Sequence, residues 1–547
     1  MNEYFINVEN QQKNDSNYCS DKTDKSDKSI YIKKCTEKEL TKIMESLKSR
    51  TAPGNDGIST HDIKLLLTKI KTQLLNFINE ILKTGDIPPQ CLISKVIPIF
   101  KKGTKTNPGN YRPIALTSTF SKIIERVLKD RICSFLKFSN HQYGFQKNSS
   151  TLGAAVDLIQ NICYSLDSRK YVIIIFIDLK KAFDLVDHEI LLQKIECMGI
   201  SGKTHKFIEI FLKNRKQYTQ IDQTKSSEEK VNKGVPQGSV LGPLLYLLYV
   251  EDLKTSGISA QHYMFADDTA LYYESPNLET LQSDINQDLI QFQSWLQNNK
   301  LIINLDKTVA LLFHQKNMKR TTLNIKINGA NINESNEYNY LGLTIDTKLE
   351  WTKHIDNIAK KLIPLIGALR KVSPYLNLRA KKSIYFSYIH STLTYLLSIW
   401  SNTSVSNIKR VQRIQNRAIK AVYNLPYNTS SKELHKIVNL PNIKQMKKIE
   451  DSKMIHQIEN KLLKVNISLK KRIEIHDHNT RYNLNYQLNN IRTNKALHSP
   501  IYQATTYYNK LPTEIKEQQD IRKFNKKLRE HIMDGLTSQR LPTTHRS

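Results

Sequence analysis

Apolar periodicity begins only after the first 30 residues. Residues 1 to about 30 are polar and repetitive, as in Asp21-Lys22-Thr23-Asp24-Lys25-Ser26-Asp27-Lys28, and read as a disordered leader. Thr36 with Glu39 fits a capping box opening a helix through Leu47. A loop at Ala52-Pro53-Gly54-Asn55-Asp56-Gly57 precedes a second helix, from about His61 to Lys83, stopped at Gly85. From Lys95 to Leu349 strand and helix patterns alternate. Tyr171 to Leu179 is a β-branched run of the kind that fills a buried strand. Leu278, Leu281, Ile285, Leu289, Phe292 and Leu296 recur at helical spacing, and short strands are expected at Leu301 to Leu305 and Val309 to Phe313.

Beyond Trp351 strand signals fade. Ile355, Ile358, Leu362, Leu365 and Leu369 mark a helix that Pro364 should kink. Ser406 is placed to cap a helix with Ile408, Val411, Ile414, Ile419 and Val422 on one side and Lys409, Arg410, Arg413, Arg417 and Lys420 on the rest. Such a basic amphipathic helix suits a solvated face and a nucleic-acid contact equally.

Charge sharpens this picture. Lys and Arg total 82 against 51 Asp and Glu, a net of +31. That balance fits a polyanionic partner, nucleic acid above all, and equally a lysine-rich surface from an AT-rich genome. Residues 401–547 hold 28 basic and 11 acidic residues, a net of +17, which favours a localised binding surface. The six cysteines, Cys19, Cys35, Cys91, Cys133, Cys163 and Cys197, form no C-x-x-C pair, which excludes a zinc module or disulfide framework and fits reduced thiols. No signal peptide is visible, and the apolar run Leu241 to Val250 is short and holds Pro243. The expectation is a soluble, intracellular protein with no membrane partner.

The candidate chemistry lies in acidic residues. Phe265-Ala266-Asp267-Asp268, flanked by Tyr263 and Leu271, reads as a β-hairpin presenting two carboxylates at its tip. Alone it could be an exposed turn. Asp178, at the end of the Tyr171 run, changes the balance, because a carboxylate there needs a partner. Side by side, strand and hairpin would gather Asp178, Asp267 and Asp268. Three carboxylates can hold two Mg²⁺ ions about 3.5–4 Å apart for in-line attack at phosphorus.

These residues resemble the reverse transcriptase family, in its jockey-like non-LTR retrotransposon branch. The resemblance runs in order from Ala52-Pro53-Gly54-Asn55-Asp56-Gly57 through Val96 to Gly103, Asn110-Tyr111-Arg112-Pro113-Ile114 and Gln142-Tyr143-Gly144-Phe145. It continues with Phe176 to Asp184, Gly234-Val235-Pro236-Gln237-Gly238-Ser239, Phe265 to Asp268, Leu305-Asp306-Lys307-Thr308 and Tyr340-Leu341-Gly342-Leu343. It implies an α+β right-hand polymerase. Its parts would be a leader (1–30), a helical extension of the fingers (31–94), fingers and palm (95–349), a helical thumb (350–400) and a basic, mostly helical extension (401–547).

The resemblance also implies roles. Asp178, Asp267 and Asp268 become the metal ligands, for two Mg²⁺ ions with Mn²⁺ as a substitute. Arg112 grips the triphosphate, and Lys101 or Lys102 adds a point charge. Phe183 lies under the sugar and crowds out a ribose 2′-hydroxyl. Gln237 lies against nucleotide and template, Lys307 protonates the leaving pyrophosphate, and Tyr340, Leu341 and Gly342 belong to the primer grip. Asp184 is expected to be structural support. The partners are an RNA template, a DNA primer and dNTPs, and the implied place of action is the nucleus. Fewer than 100 residues precede the fingers, and no zinc knuckle or ribonuclease H pattern follows. This points to a truncated product or a derivative working with a separate endonuclease. The alternatives are an inactive nucleic-acid-binding relic and another branch of the family, such as a maturase or telomerase.

Overall fold

The computed structural model describes residues 1–6, 27–475 and 485–534. A short helix α1 (Asn2–Ile6) opens the chain and corrects the disordered leader there. The Asn2 side chain is buried and donates to Gln217 O at 3.4 Å and Ser227 O at 3.2 Å. Long-range hydrogen bonds hold this helix, so no periodicity announces it. Residues 7–26 lie outside the described residues.

Local signals hold well in the next two helices. Helix α2 (Glu37–Ser46) opens on the Thr36–Glu39 capping box. Helix α3 (Thr60–Thr84) opens on a second box, Ser59–Asp62, and stops at Gly85 in the left-handed conformation (φ 79°). The strands β1 (Ile93–Phe100) and β2 (Tyr111–Leu116) then pair antiparallel. Helices α4 (Thr119–Phe135) and α5 (Thr151–Asp167) lead into β3 (Tyr171–Ile177). Helices α6 (His188–Cys197) and α7 (Gly202–Lys213) lead to β4 (Lys216–Ile221), which pairs with β1 and with the two-residue strands β5 (Thr224–Lys225) and β6 (Glu229–Lys230). Next come α8 (Gly242–Val250), the hairpin β7 (Gln261–Phe265) and β8 (Asp268–Ser275), α9 (Leu278–Asn298) and β9 (Val309–Phe313).

The site rests on the second sheet. Its order is Asn333–Glu334, β9, β3, β8, β7, with β3 antiparallel to both neighbours. Every residue of β3 is buried. Ile173, Ile175 and Ile177 face a core shared with α4, α8 and α9, while Val172, Ile174 and Phe176 face a second core. Period-two alternation thus feeds two cores from one strand, each fully buried aliphatic contributing about 1.5–3 kcal/mol. The second core contains α5 residues together with Trp351, Trp400, Val411 and Phe524. The helical C-terminal half therefore closes one face of the sheet.

Three expectations are corrected. Leu301 to Leu305 is not a strand: only Ile303 bridges, to Leu179, and the Asn304 N–H turns onto Asp178 O at 2.8 Å. Strand β3 itself ends at Ile177, two residues early, releasing Asp178 from the ladder. The helix Val405–Tyr423 is capped by Ser404, not Ser406; Ser404 has the extended backbone a cap needs, and its hydroxyl accepts from Asn407 N–H. Helix α10 (Thr352–Val372) continues through exposed Pro364. Among the described residues, no helix is long and apolar enough to cross a membrane.

Burial pushes His188, His262, His354 and His390 down to about 4. The unfolded chain takes up protons near 6.5 while the folded chain does not until about 4, so acidification through that window favours unfolding. Burial lowers His141, His435 and His456 as well, whereas Asp157 and Asp268, raised to about 6, and Glu125, Asp184, Asp267 and Asp451, also raised, act oppositely once the pH enters the carboxylate range. The melting temperature should therefore fall between about pH 7 and 6, above the carboxylate range, and change little just below it. A scan showing no fall there would contradict the burial of these rings.

Candidate active site

The β7–β8 hairpin turns through Ala266 and Asp267, with Phe265 paired to Asp268 and Ala266 in the left-handed region (φ 59°). Because Ile177 pairs with Thr269, the next residue on β3, Asp178, leaves the ladder beside Asp268. Three carboxylates from two distant segments thus share one end of the sheet.

Their electrostatics agree with this placement. Asp268 is pushed up to about 6 by desolvation first, then by Asp267 and Asp178. Asp267 is raised by desolvation and Asp178, against the lowering fields of Arg112 and Lys101. Both side chains reach solvent, so the crowding is one-sided, as on the floor of an open cleft. Asp178 is held differently: its Oδ2 accepts from Asn304 Nδ2 at 2.7 Å and from Lys307 Nζ at 3.1 Å. Among the described residues, no trio of His, Cys, Asp or Glu already stands at metal-binding separations.

The other sequence-predicted residues surround this floor. Arg112, on β2, is exposed and in no ion pair among the described residues, and its field reaches Asp267 and Asp184. Lys101 and Lys102 are both exposed, and of the two it is Lys101 whose charge bears on Asp267. Phe183 stacks on Tyr246 (4.4 Å between centroids, 17°) and meets the edge of Phe145 at 6.3 Å. Tyr246 in turn lies in the field of Asp267 and Asp268.

Gln237 donates to Asp184 Oδ1 at 2.8 Å, and its carbonyl accepts from Ala115 N–H at 2.7 Å, tying the loop to the strand that carries Arg112. Gly238 has φ 120°, and a Cβ there would stand 2.5 Å from Ala115 O, so the approach requires glycine. Asp184 is raised by burial and buttresses Gln237. Tyr340 is buried, ending the strand Glu337–Tyr340, and Leu341-Gly342 turns the chain into Leu343–Asp346. Tyr395 fixes that turn by donating to Leu341 O at 2.6 Å.

Sequence reasoning missed several contributors. Asn304 stands one residue ahead of the Leu305-Asp306-Lys307 motif and could have been included with it. Tyr338 stacks on Phe176 at 4.3 Å and feels Asp268 and Asp178, yet a lone tyrosine in a strand carries no local signal. Glu125 is fully buried in α4 and accepts from Val240 N–H at 2.7 Å, Leu241 N–H at 2.9 Å and Ser121 Oγ at 2.9 Å. It thereby holds the chain between Gln237 and α8.

Residues 99–345 match the family model described as reverse transcriptase (RNA-dependent DNA polymerase). The probable RNA-directed DNA polymerase from transposon BS of Drosophila melanogaster is 28% identical over 434 residues, 76% of this chain and 48% of that protein. The RNA-directed DNA polymerase from mobile element jockey of the same fly is 26% identical over 430 residues, 76% of this chain and 47% of that protein. The chain thus spans about half the length of these curated relatives. A structure of apo telomerase from Candida tropicalis, truncated from its C-terminal domain, aligns over 54% of this chain and 61% of its own. Its TM-score of 0.33 and 16% identity are too slight to bear on this fold.

Proposed function

We propose that the chain is an RNA-directed DNA polymerase acting in non-LTR retrotransposition, which adds dNTPs to a primer 3′-hydroxyl; the match of residues 99–345 to the reverse transcriptase family model supports this reading. The observation that carries this reading is the meeting of Asp178, Asp267 and Asp268 at one sheet end, with Arg112 and Lys101 in the same field.

The donor set fits magnesium: hard carboxylate oxygens, too few to strip every water, on an open floor where substrate phosphates can complete the shell. Asp178, Asp267 and Asp268 would hold two Mg²⁺ ions, with Mn²⁺ as substitute. Bound there, the metal supplies acidification of the primer hydroxyl and neutralisation of the triphosphate. Lys307, which donates to Asp178 Oδ2 at 3.1 Å, would be placed to give a proton to departing pyrophosphate, and Asn304 would keep the Asp178 carboxylate oriented. Arg112 offers a planar fork to the triphosphate, and Lys101 adds a point charge. Gln237, braced by Asp184, lies along the incoming base pair. The Leu341-Gly342 turn, clamped by Tyr395, aligns the primer end.

On this reading the molecule is a right hand, with fingers and palm over 95–349 and a helical thumb over 350–400. The basic extension over 401–547 holds nucleic-acid backbone. Lys409, Arg413 and Arg417 are exposed at four-residue intervals on the helix Val405–Tyr423, a row suited to salt-sensitive phosphate contacts. The place of action on this reading is the nucleus.

Primer extension on poly(rA) and poly(dA), with an oligo(dT) primer, dTTP and Mg²⁺, tests the proposal. Incorporation should be faster on poly(rA); tight binding of both templates without incorporation would defeat it. The ring of Phe183 sets a second expectation. Packed between Tyr246 and Phe145, it cannot step aside for a 2′-hydroxyl. Phe183→Val should lower the preference for dCTP over CTP by about 10–200-fold, the worth of a shape difference in an apolar pocket. An unchanged ratio of the two kcat/KM values would show that another group reads the sugar.

A further inference from the structure

Distant parts of the chain meet behind the carboxylate turn. The segment 461–467 follows the helix Ile443–Glu459 and lies across the loop 139–148, more than 300 residues earlier. Lys464 Nζ donates to Ser139 O at 2.9 Å, Gln142 O at 3.0 Å and Gln146 Oε1 at 3.0 Å, using all three ammonium hydrogens on one loop. Lys464 N–H donates to Asn148 O at 2.6 Å, and Asn148 Nδ2 returns a bond to Lys461 O at 2.9 Å. Asn466 completes the clasp. Its N–H donates to Asp157 Oδ2 at 2.7 Å, and its Nδ2 donates to Tyr143 OH at 2.8 Å, whose own proton goes to Asp157 Oδ2 at 2.5 Å.

The clasped loop leads directly to the site. Met264 N–H donates to His141 O at 2.9 Å and Tyr143 N–H to Met264 O at 2.7 Å, so the loop pairs with β7. The Gln142 side chain reaches further: its Oε1 accepts from Ala266 N–H at 3.2 Å, inside the turn that carries Asp267. Gly144 lies so close that a Cβ would stand 2.5 Å from Ala266 N. Phe145, on the same loop, meets the edge of Phe183. Lys464 is thus one residue away from the hydrogen bond that fixes the turn.

We propose that the segment 461–467 is a strap that positions the Ala266-Asp267 turn through Gln142, with Lys464 and Asn466 as positioning residues. This rests on the polymerase reading above for its kinetic consequence, and on geometry alone for its structural one. The strap gives the C-terminal half of the chain a part in the chemical step, separate from holding nucleic acid. Asp157, which burial pushes up to about 6, stays ionisable beneath it and accepts from both Tyr143 and the strap backbone.

The test uses the full chain carrying Lys464→Met, Lys464→Arg or Gly153→Ala. The methionine keeps the length and removes the donors. Gly153 lies in α5, where alanine favours the helix, but its Cβ would stand 2.3 Å from Lys464 O, so the strap backbone must shift while every strap side chain is kept. On poly(rA)–oligo(dT), Lys464→Met and Gly153→Ala should each lose about tenfold in kcat, with KM for dTTP within about twofold, as expected for a turn displaced by a fraction of an ångström. Lys464→Arg should recover most of the rate. Amide exchange at Tyr143, Met264 and Ala266 should quicken in the first two variants and stay slow in the arginine variant. Unchanged kcat and exchange in both would overturn the strap. So would a loss confined to KM or to template affinity, which would make the segment a nucleic-acid contact. If Lys464→Met does not fold, Gly153→Ala decides. A parent chain without incorporation defeats the polymerase reading, while the exchange measurement still decides the strap.

Discussion

Alanine at Asp267 should abolish RNA-templated incorporation, by about a thousandfold or more, the upper scale for removing a preorganised electrostatic group. The position of the side chain argues for so large a loss. It sits in a two-residue turn whose backbone is fixed from both sides, by the β7–β8 ladder and by Gln142, so no neighbouring carboxylate can swing in to replace it. Its fold cost should be small. The side chain reaches solvent, and it raises the pKa of Asp268, so its removal relieves repulsion rather than breaking a stabilising pair. The variant should therefore melt no lower than the parent and bind primer-template within about twofold, while extension disappears. Retained extension would defeat the assignment of Asp267. Loss of folding would contradict the repulsion argument.

Glu125→Ala should be the most damaging substitution away from the floor, costing about 3 kcal/mol or more in a urea melt. Three donors converge on this buried carboxylate, two of them backbone N–H groups at the entry to α8. Each buried donor left without an acceptor costs about 1–3 kcal/mol. Burial raises the pKa of Glu125, so a neutral acceptor is tolerated there. Glu125→Gln, which keeps one carbonyl oxygen, should stay within about 1 kcal/mol of the parent. The alanine variant should also lose activity beyond its loss of folded protein, because Val240 and Leu241 follow directly on the Gln237 loop. Equal stability of alanine variant and parent would mean that the entry to α8 finds other acceptors.

The sequence was most legible where one local signal suffices. Capping boxes placed α2, the β-branched run placed β3, and apolar spacing placed α9, because each depends on neighbours within a few residues. The carboxylate floor was legible for a related reason: two adjacent aspartates in a hairpin and one at a strand end are local features, and only their meeting needed the fold. What escaped depends on partners far along the chain. Helix α1 exists through Asn2 bonds to residues beyond 215. Asp178 and Asn304 converted the expected strand at 301–305 into a turn. The strap at 461–467 has no motif, since its function lies in three carbonyl groups of a distant loop. Either Ser404 or Ser406 satisfies the composition of a cap, and only backbone geometry distinguishes them.

A count of bound Mn²⁺ tests most directly whether Asp178, Asp267 and Asp268 share metal. In a complex with primer-template, a dideoxy-terminated primer and the next dNTP, electron paramagnetic resonance should report two Mn²⁺ per chain, as a two-metal site requires. Asp178→Asn should lose at least one of them while still binding primer-template. An undiminished count in Asp178→Asn, or no specific Mn²⁺ in the parent complex, would contradict the account.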